Sequence, residues 1–293
     1  MSTVVLLAVT GLGLGALYFL VASGLSLIYG LMGVLNFAHG SFLTLGAFAG
    51  FELTRRLGGD SWPAFVASLV LGAAVGAVAA ALTELLLIRR LYERHIEQVL
   101  VTVGLSLATV ALFEGIWGSD PSYVTAPAWL GETTQLLGAR IPNDRFVLIG
   151  AAALVLLGIV AFLRFTRFGL IIRAGVENRA MVTALGIDVR RAFTVVFAIG
   201  GTAAGLGGVL ASHYFGYVSP HLGGSLLIFA FIVTVIGGLG SLAGAAIASV
   251  AVGVLQQFAN FYWGVGDLVV VLLLAGVLLL RPAGILGKKK VQA

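Results

Sequence analysis

The sequence predicts an all-α, polytopic integral membrane protein of about eight transmembrane helices (about seven to nine), some of them interrupted or re-entrant. Three observations predict it. Of 293 residues, 60% are hydrophobic and only 10% are charged, against about 25% charged in a soluble domain. Apolar stretches near the roughly 20 residues that a span requires recur from one end of the chain to the other. The basic residues gather in the short polar stretches between them, which is the positive-inside pattern. The net charge of +5 therefore reports orientation in a membrane and no nucleic-acid partner.

The first two apolar stretches cover residues 4–29 and 31–51. The first is too long for a signal-peptide core and lacks a basic start and a small-residue cleavage site, so it is expected to be retained. A short polar loop with Arg55, Arg56 and Asp60 follows. The third stretch, 62–88, is rich in small residues that let helices approach closely in lipid. Glu84 lies near its end, within reach of Arg89 and Arg90. The fourth covers 98–117, with Glu114 one turn from its end and expected to pair at the boundary.

Residues 118–145 carry prolines, Trp129 and few basic groups, and read as an external loop. The fifth stretch is 146–163. Residues 164–191 carry six arginines against Glu177 and Asp188, which puts them in the cytoplasm. The sixth stretch is 192–214. Residues 223–261 are too long for one span, awkward for two, and broken by GGLGSLAG. The last run, 267–280, ends at Arg281-Pro282 before a Lys288–Lys290 tail. Counting back from the arginine stretch puts the N-terminus outside, and its basic charge puts the tail inside. An odd number of crossings follows, or an even one if a broken segment is re-entrant. GVLNFAHGS (33–41) can be laid over GLGSLAGAA (238–246) as an internal repeat, and paired broken helices in two halves point to a transporter's substrate site.

The stretch 24–49, GLSLIYGLMGVLNFAHGSFLTLGAFA, organises the rest. Asn36 and His39, flanked by glycines, stand where hydrocarbon is expected. Polar side chains at membrane depth are costly and face a protein interior or a watery route. Two roles fit together here. Asn36 caps a helix that starts near Phe37, and Asn36, His39, Ser41 and Thr44 line a translocation pathway. No second interior group offers itself as a proton-relay partner for His39.

The chain has no cysteine, and His39, His95, His213 and His221 are not at ligand spacing, so no metal and no cofactor are expected. Nucleophile elbows, phosphate loops and paired intramembrane carboxylates are missing as well, so the chain is not expected to be an enzyme or to hydrolyse ATP itself. In the arginine stretch, good helix formers run from Glu177 to Leu185, and Gly186 is a natural C-cap with Ile187 after it. A short cytoplasmic helix, apolar on Val176, Met181 and Ala184, is a shape that docks into a partner's groove.

GLSLIYGLMGVLNFAHGSF, RAGVENRAMVTALGI, VIGGLGSLAGA and LLLRPAGILG, in this order along nearly the whole chain, resemble the bacterial branched-chain amino acid ABC-transporter permeases of the LivH type. The resemblance implies a single permease domain over 1–293 in the bacterial inner membrane, surrounded by lipid. It also implies a LivM-like second permease, two cytoplasmic ATPases that bind the ATP, and an extracytoplasmic solute-binding protein. The cargo would be leucine, isoleucine, valine or a related solute. Residues 173–190 would be the coupling loop, with Arg173, Glu177, Asn178, Arg179, Ala180, Ala184 and Gly186 at the ATPase contact. Here Glu177-Asn178-Arg179-Ala180 departs from the family's Glu-Ala-Ala pattern. A permease for urea or short amides, or a stand-alone carrier or channel, are the alternatives.

Overall fold

A computed structural model describes residues 2–33, 35–92, 94–177 and 179–287. Asn178 and the lysine tail therefore lie outside the described residues. The helices are α1 (Ser2–Met32), α2 (His39–Arg56), α3 (Trp62–Leu86), α4 (His95–Trp117), the single turn α5 (Ala128–Gly131), α6 (Asp144–Phe165), α7 (Arg167–Glu177), α8 (Arg179–Ala184), α9 (Val189–Phe215), α10 (Leu222–Gly237), α11 (Leu242–Trp263) and α12 (Gly266–Leu280). Four short strands, β1 (Ser122–Tyr123), β2 (Thr133–Leu136), β3 (Ala139–Pro142) and β4 (Tyr217–Val218), sit in the connections. Among the described residues six helices are long and apolar enough to cross a membrane, and α10 and α12 are shorter apolar helices.

Most of these helices are apolar all round, which suits lipid outside and protein inside. Helices α1 and α9 form the centre, with Leu17, Leu20, Val21, Phe193, Val196 and Ala204 buried. Helices α4 and α6 stand at the periphery, where Leu100, Leu107, Leu154 and Leu157 are exposed. In water such leucines would be a liability. In a bilayer they are the lipid face.

What brings α9 so close to its neighbours is glycine. A Cβ on Gly205 would strike the carbonyl of Gly72 and stand 3.1 Å from Gly76 Cα. Gly46 meets the same residue from α2, at 2.5 Å for a Cβ to Gly205 Cα. Helices thus touch backbone to backbone, where dispersion contacts are densest in the absence of a hydrophobic driving force between helices.

Two strand pairs mark one end of the bundle. β1 runs antiparallel to β4, with Ser122 opposite Val218 and Tyr123 opposite Tyr217. β2 and β3 form a hairpin whose turn residues Leu137 and Gly138 both have positive φ. Residues 118–145 and the turn after α9 therefore share one end, the hairpin end. Gly13 of α1 packs against Arg145 there. At the other, arginine-bearing end, Gly30 packs on Gly240. Residues 281–287 return to this end, where Ile285 N–H donates to Ile236 O (2.8 Å) and Leu286 N–H to Gly237 O (3.0 Å). The start of α1 and the end of the described chain thus lie at opposite ends, as an odd number of crossings requires.

Two readings of the sequence need correction. The second apolar stretch does not begin as helix at residue 31: α1 runs on to Met32, Gly33 takes φ +71, and α2 starts only at His39. At the far end of α2 the polar loop is shorter than expected. The helix continues to Arg56, with Arg55 and Arg56 both bound to Glu52 (3.0 and 2.8 Å).

The glycine contacts give a direct test. Gly205→Val should destabilise the purified protein by about 1–3 kcal/mol through overpacking and lower its thermal midpoint in detergent. Gly150→Ala, in α6 with nothing within 4 Å of its Cβ position, should leave the midpoint unchanged or slightly raised.

Candidate functional site

The residues after α1 turn back along it. Gly33 N–H donates to Tyr29 O (2.7 Å), and Phe37 N–H donates to Thr102 Oγ1 on α4 (3.3 Å). This brings His39 beside the middle of α1, where its Nε2 lies 3.0 Å from Val21 O. Gly24 makes room: a Cβ there would stand 2.8 Å from His39 Cε1. Asn36 does not cap α2. The cap position is Ala38, which has no side-chain partner. Asn36 Oδ1 instead accepts from Ala38 N–H (3.1 Å), which holds the turn that aims α2.

Helix α10 starts against the first turns of α2. Gly223 N–H donates to Thr44 Oγ1 (3.0 Å), and a Cβ on Gly40 would stand 2.7 Å from Gly223 O. Ser41 Oγ lies 2.5 Å from Thr109 Oγ1 on α4. The structure therefore gathers Asn36, His39, Ser41 and Thr44 at one junction of α1, α2, α4 and α10, and all four are buried. Two polar atoms there, Asn36 Nδ2 and His39 Nδ1, are buried without a partner. Hydrogen-bonding capacity is thus left over in an otherwise apolar interior.

At the arginine end, α7 and α8 follow α6. α8 closes with Gly186 at φ +77, Gly186 N–H to Thr183 O (3.0 Å) and Ile187 N–H to Val182 O (3.4 Å). This is a Schellman cap, and the glycine is needed because its φ penalises any Cβ. Val182 is buried and Ile187 packs on the core, while Ala184 and Leu185 are exposed and Leu185 is 69% exposed. Of the apolar face expected on this segment, Met181 is exposed too, and the side chain of Val176 lies outside the description. Arg173 on α7 is exposed. The side chains of Glu177, Arg179 and Ala180 are likewise not described.

Beside this segment, buried Glu84 is held by Arg89 (3.4 Å), by Thr194 Oγ1 (2.6 Å) and by the Tyr92 hydroxyl. The expected Glu84–Arg89 pair is present, and Thr194 carries it across to α9, the helix that follows α8. Glu114 pairs at the opposite end, with His221 at 3.1 Å.

The hairpin end holds a cleft of about 660 Å³ that sequence reasoning missed. Tyr18, Ser225, Phe229, Gln256, Asn260 and Asp267 are among its lining residues. Gln256 and Gln257 stand out in an apolar run, which was the available signal. The link of Gln256 to Asp267 depends on the tight turn between α11 and α12, where Gly264 takes φ +69. Tyr214 also lines this cleft and carries Arg145 3.5 Å above its ring. Among the described residues no group of three or more His, Asp or Glu side chains is placed to hold a metal ion.

Residues 7–281 match the family described as "Branched-chain amino acid transport system / permease component". The high-affinity branched-chain amino acid transport system permease protein LivH of Escherichia coli is 30% identical over 296 residues, spanning 96% of this chain and 95% of that one. The corresponding protein BraD of Pseudomonas aeruginosa is 31% identical over 304 residues, spanning 97% and 96%. The solved complex "PsaBC from Streptococcus pneumoniae in complex with Fab" includes a chain with 17% identity and a TM-score of 0.46, covering 92% of this chain and 89% of that one. By the family match and by relatives of this length and identity, the chain is a multi-pass membrane protein that belongs to the permease components of branched-chain amino acid transport systems.

Proposed function

We propose that this permease forms the route by which leucine, isoleucine and valine cross a bacterial inner membrane, driven by ATP bound on two separate cytoplasmic subunits. The observation that carries the reading is the α2–α10 junction. Two helices start at one buried place, glycine against glycine, with unpaired amide and imidazole groups beside them. Broken backbone is tolerated at membrane depth only when lipid does not reach it, and helices broken in this way mark substrate routes. Asn36, His39, Ser41 and Thr44 flank this route. Thr44 holds the junction closed through Gly223 N–H, and the spare Nδ2 of Asn36 and Nδ1 of His39 serve a polar solute when it opens. The cargo follows that of the relatives LivH and BraD, which are branched-chain amino acid permeases.

Charge supports the orientation. The arginine end carries Arg89, Arg90, Arg94, Arg164, Arg167, Arg173, Arg190, Arg191 and Arg281, against few basic residues at the hairpin end. The arginine end is the cytoplasmic one, and the hairpin end receives the solute-binding protein. Residues 173–190 are the coupling element: α8, ended by Gly186 and leading directly into α9, presents its exposed face to an ATPase. Tilting α8 would pull on α9, which packs against α1, α2 and α3. A LivM-like second permease completes the membrane part. The chain itself does no covalent chemistry and needs no cofactor. Its two states differ in exposure of the route, and ATP shifts them only through a difference in partner affinity.

Two outcomes test this. In the whole transporter reconstituted in liposomes, Asn36→Leu and His39→Leu should each lower leucine uptake about ten-fold or more, the loss expected for a desolvated polar contact, while all subunits still co-purify. Leucine uptake at the normal rate by both variants would remove these residues from the route. Gly186→Val should strain the α8 cap by about 1–2 kcal/mol and weaken co-purification of the ATPases, whereas uptake should vanish altogether when the ATPases are left out.

A further inference from the structure

The cleft at the hairpin end has a chemistry that the function above does not yet use. Its floor is a chain of hydrogen bonds: Tyr18 Oη donates to Gln256 Oε1 (2.7 Å), and Gln256 Nε2 donates to Asp267 Oδ1 (2.7 Å). Tyr18 and Gln256 are buried, so each needs its partner. Asp267 is exposed at the cleft, and among the described residues no cationic side chain pairs with it or lines the cleft. Leu222, Leu226 and Phe229 of α10 line the same cleft, with Phe229 stacked on Tyr18 at 5.0 Å. The cavity, about 660 Å³, is of the size that takes small ligands, about 300–1,000 Å³.

An acid whose charge is fixed in place but not neutralised, facing an aliphatic wall, is complementary to a small molecule with an ammonium group at one end and a branched hydrocarbon at the other. We propose that this cleft is the first holding site for the solute in the permease, with Asp267 taking the α-ammonium group and Leu222, Leu226 and Phe229 the hydrocarbon side chain. The proposal rests on the reading of the chain as an amino acid permease. It adds a recognition step made by the permease itself, apart from any made by the solute-binding protein. Gln256 is a positioning residue: its amide orients the Asp267 carboxylate, and Tyr18 orients the amide. A helix-capping role for Asp267, at the start of α12, accounts for a carboxylate at this position. It does not account for discrimination between leucine and an analogue that lacks the ammonium group, so the test is built on that difference.

The experiment measures equilibrium binding of radiolabelled L-leucine and of 4-methylpentanoate, which is leucine without its amino group, to the reconstituted transporter free of its solute-binding protein. Wild type should bind leucine and bind 4-methylpentanoate about ten-fold or more weakly, the loss expected for one charge-assisted contact. Asp267→Asn should bind both equally weakly, and Asp267→Glu should restore the preference for leucine. Asn260→Lys, which sets a competing ammonium group on the cleft wall and leaves the Gln256–Asp267 bond alone, should abolish leucine binding even if Asp267→Asn fails to fold. Wild-type affinity for leucine in a correctly assembled Asp267→Asn or Asn260→Lys transporter overturns the proposal, as does an Asp267→Asn transporter that still prefers leucine over 4-methylpentanoate by the wild-type factor. A transporter whose uptake of leucine is normal but whose permease shows no binding preference overturns the holding site alone. One that takes up no branched-chain amino acid overturns the functional reading, and this site with it.

Discussion

Lipid offers no hydrogen bonds, so the backbone groups that this chain frees at membrane depth have to find their partners in the protein. That constraint shapes the whole bundle. The break between α1 and α2 frees backbone groups at Gly33, Phe37, Ala38 and His39. Each is answered internally, by Tyr29 O, Thr102 Oγ1, Asn36 Oδ1 and Asn36 O. The start of α10 is answered by Thr44 in the same way. A break of this kind needs neighbours on all sides, and α1, α4, α9 and α10 supply them. The peripheral helices α4 and α6 carry the lipid-facing leucines that shield it.

Close neighbours in turn require small residues. Gly24, Gly40, Gly46, Gly72, Gly76, Gly200, Gly205 and Gly223 are the points where two backbones meet. The same glycines that let α2 and α10 start side by side also leave no side chain to fill the space if they part. A junction closed by backbone contact, with few interlocking side chains, is suited to opening and closing as a unit. At the arginine end the Glu84–Arg89–Thr194 group ties α3 to α9, so a displacement of α8 reaches two core helices together.

Much of this was legible in the sequence. Hydropathy located α3, α4, α6 and α9 to within a few residues, because lipid imposes both length and composition on a full span. Gly186 announced the end of α8, because only a glycine suits that cap. The start of α2 was legible only approximately, as a helix start near Phe37 where the helix begins at His39. Residues 31–38 are as apolar as a helix, and nothing in LMGVLNFA says that Gly33 takes a positive φ. The grouping of Asn36, His39, Ser41 and Thr44 could be seen as spacing, but their partners Val21, Thr109 and Gly223 are far off along the chain. The cleft was invisible for the same reason. Tyr18 and Gln256 are 238 residues apart, and only the antiparallel packing of α1 on α11 joins them.

The central claim is that the α2–α10 junction opens to water in one state of the transporter and closes in another. The chain has no cysteine, so Ser41→Cys introduces a single thiol at the junction with almost no change in volume. Its rate of modification by a small, water-soluble, charged thiol reagent can be measured in the assembled transporter, with ATP trapped and without nucleotide. The account predicts at least about a ten-fold difference in rate between the two states, the size of a shift between mostly open and mostly closed populations. A thiol that stays unreactive in both states, or reacts equally in both, would contradict it.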